Sequence, residues 1–254
     1  MLQGLLAFGE GQKLQSYWRN GAFSEKILCP LENVYPIPEE VLQKYSVAKL
    51  SWMNSTLVPH GGLLAAGMEP GQVVMVQPAT GHFGACGVAV SIAMGASVVY
   101  AVGRNKAVLE ELVKRFGPRV KAVVVSGTAE DKKIYETLQV DVTLNFYPPS
   151  APTDGVILGL AALKPGATLM LVGGSQDSIA LPYWDTMIRN ITVKGSFMYP
   201  PSAVPKHIRL VQAGLLDLDA FEEKSFKLDN VLDAVEFAAS KENRGWLYST
   251  VLEP

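Results

Sequence analysis

Cysteine, net charge and long apolar runs are all scarce in this sequence, and each shortage excludes a class of protein. Two cysteines among 254 residues, Cys29 and Cys86, cannot form a disulfide scaffold, and they indicate a reducing compartment. A formal charge of −2 gives no reason to expect nucleic acid or an anionic membrane as a partner. No apolar run is long enough to cross a bilayer, and the N-terminus lacks the basic segment of a signal peptide. The composition therefore predicts a soluble, cytoplasmic globular protein.

Regular alternation is what the sequence does contain, and it begins near residue 71. Short runs rich in β-branched residues predict six strands, at 72–77, 97–102, 121–126, 140–145, 167–172 and 191–197. Longer amphipathic runs predict helices between and after them, at 83–94, 105–116, 129–138, 153–163, 181–189, 203–214 and 228–240. Strands that alternate with helices are typical of βαβ units, whose crossovers make a parallel sheet. We predict the α/β class, with a doubly wound, six-stranded Rossmann sheet.

The two ends of the chain lack this alternation. The N-terminal stretch is interrupted by prolines and contains strand-like pieces. A helical connector is predicted at about 38–67, and the last ten residues are predicted to form a closing strand. We interpret both termini as parts of a small β-rich lobe. The predicted divisions are 1–45 for the first part of that lobe, 46–215 for the dinucleotide-binding domain with its leading helix, and 216–254 for a helix and strand that return to the lobe.

A glycine-rich turn follows the first predicted strand. A search for GxGxxG fails by one residue, because Ala79 occupies the first position and Gly81 and Gly84 the other two. This turn follows a strand and opens a helix, as a phosphate-binding loop does, and its helix N-terminus would direct free N–H groups at a pyrophosphate. The cofactor-binding residues predicted here are Thr80, Gly81, His82, Phe83 and Gly84. The alternative is a glycine turn kept only for packing.

The second strand ends in AVGRN, where a carboxylate would accept hydrogen bonds from a ribose 2′-hydroxyl. Gly103 stands there instead, followed by Arg104 and Asn105. A glycine removes the repulsion of a 2′-phosphate and makes room for it, while an arginine can hold that phosphate with two hydrogen bonds. These residues predict a preference for NADP(H), and Asn105 can add a donor. The alternative is that Arg104 is only a solvated surface arginine.

Several longer stretches in the same order make the chain resemble the medium-chain dehydrogenase/reductase superfamily, the relatives of alcohol dehydrogenase and quinone reductase. They are GAFSEKILCPLENVYPIP, GGLLAAGMEPGQVVMVQPATGHFG, GLAALKPGATLMLVGG, NITVKGSF and AGLLDLDAFEEKSFKLDNVLDAVEFAA. The resemblance covers nearly the whole chain. It implies a GroES-like catalytic lobe at the N-terminus, of which only the last portion is present, so the chain is expected to be an N-terminally shortened member.

The resemblance also implies the activity, the cofactor and the partners. It implies reduction, with NADP(H), of a carbonyl, an activated alkene or a quinone of a small apolar substrate, and a homodimer formed through the last strand of the sheet. Catalytic zinc in this family uses a Cys, a His and a further Cys, and structural zinc uses four Cys. The two cysteines here are not expected to supply either set, so we expect a zinc-independent member with no metal site. By the same resemblance, Gly173 and Gly174, with Phe197 and Met198, would line the nicotinamide.

The carboxyl ends of the strands supply the remaining site residues, since ligands of doubly wound sheets bind there. Asn145 ends the fourth strand and is predicted to contact the cofactor. Tyr199, His60 and Ser55 are candidate proton donors, although a hydrogen-bonded structural role is the preferred interpretation of His60. Five other residues are expected to have no part in the chemistry. Cys86 and Cys29 are predicted to be small core residues, Tyr183 and Trp184 packing residues, and His207 a solvated histidine.

Two further functions remain open on sequence grounds. With a reduced catalytic lobe, the same cleft could catalyse a non-redox reaction, such as a cyclisation, isomerisation or dehydration. The chain could also be a non-catalytic accessory protein that binds NADP(H). Turnover without NADPH would identify the first, and an exposed apolar surface that binds a partner would favour the second.

Overall fold

A six-stranded parallel sheet forms the centre of the protein, in a computed structural model that describes residues 10–18, 21–240 and 247–254. The strand order is β3-β2-β1-β4-β5-β6, so the order reverses between β1 and β4. The strands are β1 (Val73–Gln77), β2 (Val98–Gly103), β3 (Val120–Val124), β4 (Val140–Asn145), β5 (Leu163–Leu171) and β6 (Thr192–Gly195). This confirms the predicted α/β class and the doubly wound sheet, and every strand overlaps its predicted range.

Helices cover both faces of this sheet. They are α1 (Glu10–Tyr17), α2 (Glu39–Lys44), α3 (Val47–Leu50), α4 (Trp52–Ala66), α5 (His82–Ala93), α6 (Lys106–Phe116), α7 (Lys132–Glu136), α8 (Asp154–Ala161), α9 (Tyr183–Ile188), α10 (Ala203–Gln212) and α11 (Val231–Ala239). The predicted connector at 38–67 is divided into α2, α3 and α4. None of the helices in the described residues combines the length and apolar character needed to span a bilayer.

Alternate side chains of the central strands belong to two separate cores. Val74 and Val76 pack with α4, α5 and α6 on one face of the sheet, whereas Met75 packs with residues of α7 and α8 on the other. A strand buried on both faces has no polar side to present, which explains the nearly continuous apolar sequence of β1. Helix α5 is likewise apolar throughout, because it lies between the sheet and α4.

A second, two-stranded parallel sheet lies outside the main one. It pairs β7 (Glu222–Lys227) with β8 (Tyr248–Glu253). The closing strand was predicted, but β7 was not, since its sequence EEKSFK is mostly charged and largely exposed. Strands were expected from both termini, yet both strands of this sheet come from the C-terminal part. The described residues before α2 form α1 and one turn of 3-10 helix at Leu31–Asn33.

Candidate functional site

A cleft of about 440 Å³ opens at the carboxyl ends of the central strands, where the strand order reverses. This is the position at which doubly wound sheets bind their ligands. Seven of the predicted cofactor-binding residues line it, namely Thr80, Gly81, His82, Phe83, Gly84, Gly103 and Arg104. The structure thus brings the glycine turn and the end of β2 together, as the sequence predicts.

The glycine turn is held tightly against the start of α5. The Ala79 N–H donates to the Val102 carbonyl at 2.8 Å, so alanine at the first motif position still permits the turn. A Cβ on Gly84 would lie 2.8 Å from the Ala79 Cα and closer still to the Pro78 carbonyl, so only glycine fits. The N–H groups of residues 82–84 have no acceptor among the described residues. The first turn of α5 is therefore open toward the cleft, with its positive dipole end exposed.

The end of β2 packs on the side chain of the glycine turn. A Cβ on Gly103 would lie 2.6 Å from the Thr80 Cγ2, so a larger residue at this position would require the Thr80 side chain to move. Arg104 lines the cleft and is exposed, and none of the described carboxylates forms an ion pair with it. Asn105 is the N-cap of α6, because its Oδ1 accepts a hydrogen bond from the Val108 N–H at 3.3 Å.

Asp131 was not predicted, although it lines the same cleft. Its buried carboxylate accepts the N–H groups of Ser126, Gly127 and Thr128 at 2.9, 2.7 and 3.1 Å. Burial by itself raises the pKa of this carboxyl, but these main-chain hydrogen bonds outweigh it and hold the pKa below its usual value. The carboxylate therefore fixes the loop after β3 and is not free for a ligand. The spacing of Thr128 and Asp131, a capping box, is the signal that could have revealed it.

The predicted nicotinamide end lies at the ends of β4, β5 and β6. Asn145 is buried, accepts the Tyr147 N–H at 3.3 Å through Oδ1, and has an Nδ2 without a partner in the described residues. The Gly173 N–H donates to the Asn145 carbonyl at 2.8 Å, and Gly174 follows it in the loop after β5. Phe197 is exposed, and Met198 has a left-handed φ of 55°. These residues do not line the 440 Å³ cleft itself.

Two of the three candidate proton donors, Ser55 in the first turn of α4 and Tyr199 in the loop after β6, have polar partners. The Ser55 Oγ is 2.8 Å from the His82 Nε2, so this donor contacts a residue of the cleft directly. The Tyr199 hydroxyl lies 3.4 Å from the Asn54 Oδ1, and burial raises its pKa. The loop that carries Tyr199 packs against α4 at Gly61, where a Cβ would lie 2.6 Å from the Met198 carbonyl.

The third donor, His60, is buried between α4 and α10. Its Nδ1 lies 3.2 Å from the His207 Nδ1, and the His207 Nε2 lies 2.8 Å from the Thr56 hydroxyl, which donates to the Trp52 carbonyl. Burial, with the charge of Lys206, lowers the pKa of His60 to about 4, and burial beside His60 lowers that of His207 to about 3. The prediction of a solvated His207 is wrong, because its side of α10 faces the core. His60, with 2% of its surface exposed, has a structural position and offers no face to a substrate.

Of the other predictions about single residues, one is confirmed and the others are wrong. Cys86 is buried in the core as predicted, and burial raises the pKa of its thiol. Cys29 is exposed, so its assignment to the core is wrong. Tyr183 and Trp184 were expected to be packing residues, but they are 80% and 69% exposed on α9, next to the edge strand β6.

Comparison with known proteins decides the family. The family model of the zinc-binding dehydrogenases matches residues 83–213, about half of the chain, from α5 to the end of α10. The chain belongs to the zinc-binding dehydrogenase family. This confirms the resemblance to medium-chain dehydrogenases, and the residues matched include most of the helix that follows the glycine turn and five strands of the main sheet, β2 to β6.

Individual relatives of this chain are distant, but their matches cover most of it. The L-arabinitol 4-dehydrogenase of Hypocrea jecorina is 23% identical over 206 residues, which are 77% of this chain and 53% of that protein. The D-xylulose reductase A of Aspergillus niger is 27% identical over 207 residues, 78% of this chain and 55% of that protein. The chain thus spans about half the length of the curated relatives it matches.

Solved structures show the same fold. One described as a zinc-binding dehydrogenase of Sinorhizobium meliloti, bound to NADP, superimposes with a TM-score of 0.74 at 19% identity, covering 92% of this chain and 66% of that one. The alcohol dehydrogenase TADH of a Thermus species gives a TM-score of 0.72 at 18% identity, covering 92% and 67%.

The family match corrects the cofactor prediction. We predicted NADP(H) without zinc, whereas the family to which the chain belongs is that of the zinc-binding dehydrogenases. A low cysteine count was too narrow a basis for excluding the metal, because histidine and carboxylates also bind zinc. Within residues 10–18, 21–240 and 247–254, no three such side chains lie together as a metal site requires. The described residues do not fit zinc, and no chemical step is assigned to it.

Proposed function

We propose that this chain provides the cofactor-binding domain of an NADP(H)-dependent oxidoreductase that interconverts a carbonyl compound and its alcohol. The observation that carries the proposal is Arg104, which lies at the cleft without a carboxylate partner among the described residues, beside Gly103, which has no acidic side chain to repel a 2′-phosphate. Bound there, NADP(H) would supply or accept the hydride. We further propose that 46–215 is the dinucleotide-binding domain, with 1–45 and 216–254 as parts of the smaller lobe.

The glycine turn and α5 would hold the pyrophosphate. Their free N–H groups and the positive end of the helix dipole favour a negative charge, and no atom of the described residues beyond its chain neighbours lies within 4 Å of a Cβ position on Gly81. The first turn of α5 contains no acidic side chain that would compete for those groups. The site is thus both complementary to a pyrophosphate and open to it.

Arg104 would hold the 2′-phosphate. A guanidinium donates two parallel hydrogen bonds to a phosphate, and each charge-assisted bond contributes about 1.5–3 kcal/mol. With NADH, the ribose 2′-hydroxyl would find no carboxylate acceptor at position 103. The preference for NADP(H) follows from both effects, and the amide nitrogen of Asn105 would be a second donor.

The nicotinamide would lie at the ends of β4, β5 and β6. The buried Asn145 Nδ2 has no acceptor among the described residues, so a ligand oxygen would satisfy it. Gly173, Gly174, Phe197 and Met198 are the other residues we assign to this end. Tyr199 and Ser55 remain our candidate donors to the oxygen of the substrate.

A carbonyl and alcohol pair is the substrate class that the relatives favour. Those relatives are a reductase named for D-xylulose and a dehydrogenase named for L-arabinitol. Phe197 and Met198, beside the proposed nicotinamide position, favour a substrate with an apolar part, and reduction of activated alkenes or quinones is compatible with the same hydride position.

A homodimer is the assembly we propose. Strand β6 is an edge of the main sheet, with one side of its backbone unpaired in the described residues. Exposed Tyr183, Trp184 and Ile188 of the preceding helix extend an apolar surface beside that edge. An edge strand flanked by apolar side chains is a template for pairing with a second copy.

Arg104→Ala tests the proposal. We expect this variant to bind NADPH about 10- to 100-fold more weakly while its NADH affinity stays the same, because two charge-assisted hydrogen bonds are lost only with the phosphorylated cofactor. Arg209→Ala is the matched control, since Arg209 is also exposed and without an ion pair in the described residues but lies on α10. Equal NADPH binding by Arg104→Ala and the parent protein would refute the proposal.

A further inference from the structure

Asp154 is a carboxylate of the cleft that no role assigned so far explains. It is the first residue of α8, its side chain is exposed, and it lines the cleft. Asp131 is the other carboxylate in the lining, and its oxygens already accept three main-chain N–H groups. Asp154 forms no hydrogen bond or ion pair with the described residues. Of these two carboxylates, Asp154 is therefore the one that can accept a hydrogen bond from a ligand.

The main chain next to this carboxylate supplies a hydrogen-bond donor. Gly155 also lines the cleft, and its N–H, in the first turn of α8, has no acceptor among residues 10–18, 21–240 and 247–254. The Gly155 carbonyl is occupied, since it accepts a hydrogen bond from the Gln77 Nε2 at 3.1 Å. Two adjacent residues thus present a free acceptor and a free donor, which match a ligand edge that carries one donor beside one acceptor.

Apolar side chains form the walls around this end of the cleft. They come from the loop after β3, the loop after β4 and α8, and they are Val125, Pro148, Ala151, Pro152 and Leu158. None of these side chains can form a hydrogen bond. A flat heteroaromatic ring can bury its faces against such walls, and its polar edge then requires partners of the kind that Asp154 and Gly155 provide.

Arg104 lies at the same end of the cleft. A Cβ on Gly127 would lie 3.7 Å from the Arg104 Cδ, so the arginine side chain lies against the loop after β3. Burial raises the pKa of Tyr147, and the charge of Arg104 opposes that rise, so the guanidinium is within electrostatic range of the Tyr147 hydroxyl. That hydroxyl touches α8, because a Cβ on Gly155 would overlap it. Arg104 and the first turn of α8 therefore flank one end of the cleft.

The strand order determines the distance between these groups. β2, which ends just before Arg104, and β4, which precedes α8, lie on either side of β1. Their ends are therefore about 10 Å apart, or two strand spacings. A nucleoside spans a distance of this order from its 2′-substituent to the far edge of its base. With a 2′-phosphate on Arg104, the base of the same nucleoside extends to the first turn of α8.

We propose that Asp154 and the Gly155 N–H recognise the adenine base of the cofactor, an inference that rests on the proposed function. The 6-amino group of adenine donates to the Asp154 carboxylate, and N1 accepts the Gly155 N–H. Hypoxanthine reverses this edge, since it carries a carbonyl oxygen at C6 and an N–H at N1. Acceptor would then face acceptor and donor would face donor, so the site selects adenine. Asp154 thus determines specificity for the base, and Arg104 specificity for the 2′-phosphate.

Titrations of NADPH and of its hypoxanthine analogue, followed by nicotinamide fluorescence, test this assignment. We expect the parent protein to bind NADPH about 10- to 100-fold more tightly, which is the discrimination that a pair of hydrogen bonds to a base edge provides. In Asp154→Asn this ratio should fall at least about fivefold, because the carboxamide can donate an N–H to the C6 oxygen. Because the readout is a ratio, a partial loss of folded protein does not imitate this result.

Asp233→Asn is the matched control. Asp233 is an exposed aspartate in the first turn of α11, outside the lining of the cleft and without an ion pair in the described residues. Its substitution removes the same charge from a helix N-terminus and should leave the ratio unchanged. A parent protein that binds the two cofactors equally, or an Asp154→Asn protein with the ratio of the parent, would overturn the proposal.

NADH and its hypoxanthine analogue separate this proposal from the proposed function, because neither carries a 2′-phosphate. We expect the same base ratio from this pair as from the phosphorylated pair. Equal affinities for NADPH and NADH, together with a base ratio above about tenfold, would refute the role of Arg104 and support base recognition by Asp154. Binding of none of the four nucleotides would overturn the proposed function, and base recognition with it.

Discussion

Two glycines of the same turn are predicted to have opposite roles, and one substitution applied to each separates them. In Gly84→Ala the new Cβ would lie 2.8 Å from the Ala79 Cα, and backbone atoms cannot rotate away as a side chain can. Overpacking of this kind costs about 3 kcal/mol, of which about 1 kcal/mol is recovered from the better helix propensity of alanine. A net loss of about 2 kcal/mol corresponds to a Tm lower by about 4–8 °C.

In Gly81→Ala the added methyl group clashes with none of the described residues. Apart from its chain neighbours, none of them has an atom within 4 Å of that Cβ, and Gly81 has a φ of −101°, which alanine adopts readily. The loss of a glycine N-cap costs less than about 1 kcal/mol. The methyl group instead occupies the space through which a pyrophosphate would approach α5, so we expect NADPH affinity to fall at least about tenfold, or about 1.4 kcal/mol.

Thermal unfolding without cofactor and NADPH titration, both on each variant, are the assays. Gly21→Ala is the control, because its Cβ also meets nothing within 4 Å but lies in the N-terminal segment. Gly84→Ala should lose stability and Gly81→Ala should lose binding while it remains folded. A Gly84→Ala protein as stable as the parent would refute the packing argument, and a Gly81→Ala protein that binds NADPH normally would refute the role of the turn as a phosphate site.

Three other predictions concern stability and assembly. Burial lowers the pKa of His60 to about 4 and that of His207 to about 3 in the folded protein, whereas an unfolded histidine has a pKa of about 6.5. The free energy of unfolding should therefore be highest above pH 6.5 and fall as the pH drops toward 4, and its values from urea unfolding at pH 7.5 and pH 5 should differ by on the order of 3 kcal/mol. Equal stability at the two pH values would contradict the burial of these histidines as neutral rings. Asp131→Ala leaves three N–H groups without their acceptor and should lower the free energy of unfolding by about 1–3 kcal/mol, whereas an unchanged urea midpoint would show that the loop does not need the carboxylate. Trp184→Asp should shift the protein from dimer to monomer in sedimentation velocity, and a dimer that persists would place the interface elsewhere.

The main sheet was predictable because each of its strands carries its own local signal. β1 is apolar on both faces, and the amphipathic pattern of α6, with a cap at Asn105 and Gly117 after it, identifies that helix within one residue. β7 carries no such signal, since charged side chains alternate with few apolar ones and the strand is defined only by its pairing with β8. Local periodicity therefore determines the central fold but not the small sheet.

The site was predictable where it depends on backbone geometry and not where it depends on tertiary contact. The spacing of Gly81, Gly84 and Gly103 was sufficient to place the cleft. The contact between Ser55 and His82 joins residues 27 positions apart on two helices, and sequence spacing cannot specify that distance. His207 looked exposed because charged residues surround it in sequence, yet its side of α10 packs on α4.

Separate titrations of NADPH and NADH into the purified protein, followed by nucleotide fluorescence, test the central claim most directly. The open N-terminus of α5 should give binding of both, and Arg104 beside Gly103 should make NADPH the tighter ligand by at least about tenfold. Equal affinities, or a preference for NADH, would contradict the role of Arg104. Binding of neither nucleotide would contradict the assignment of the cleft to a dinucleotide altogether.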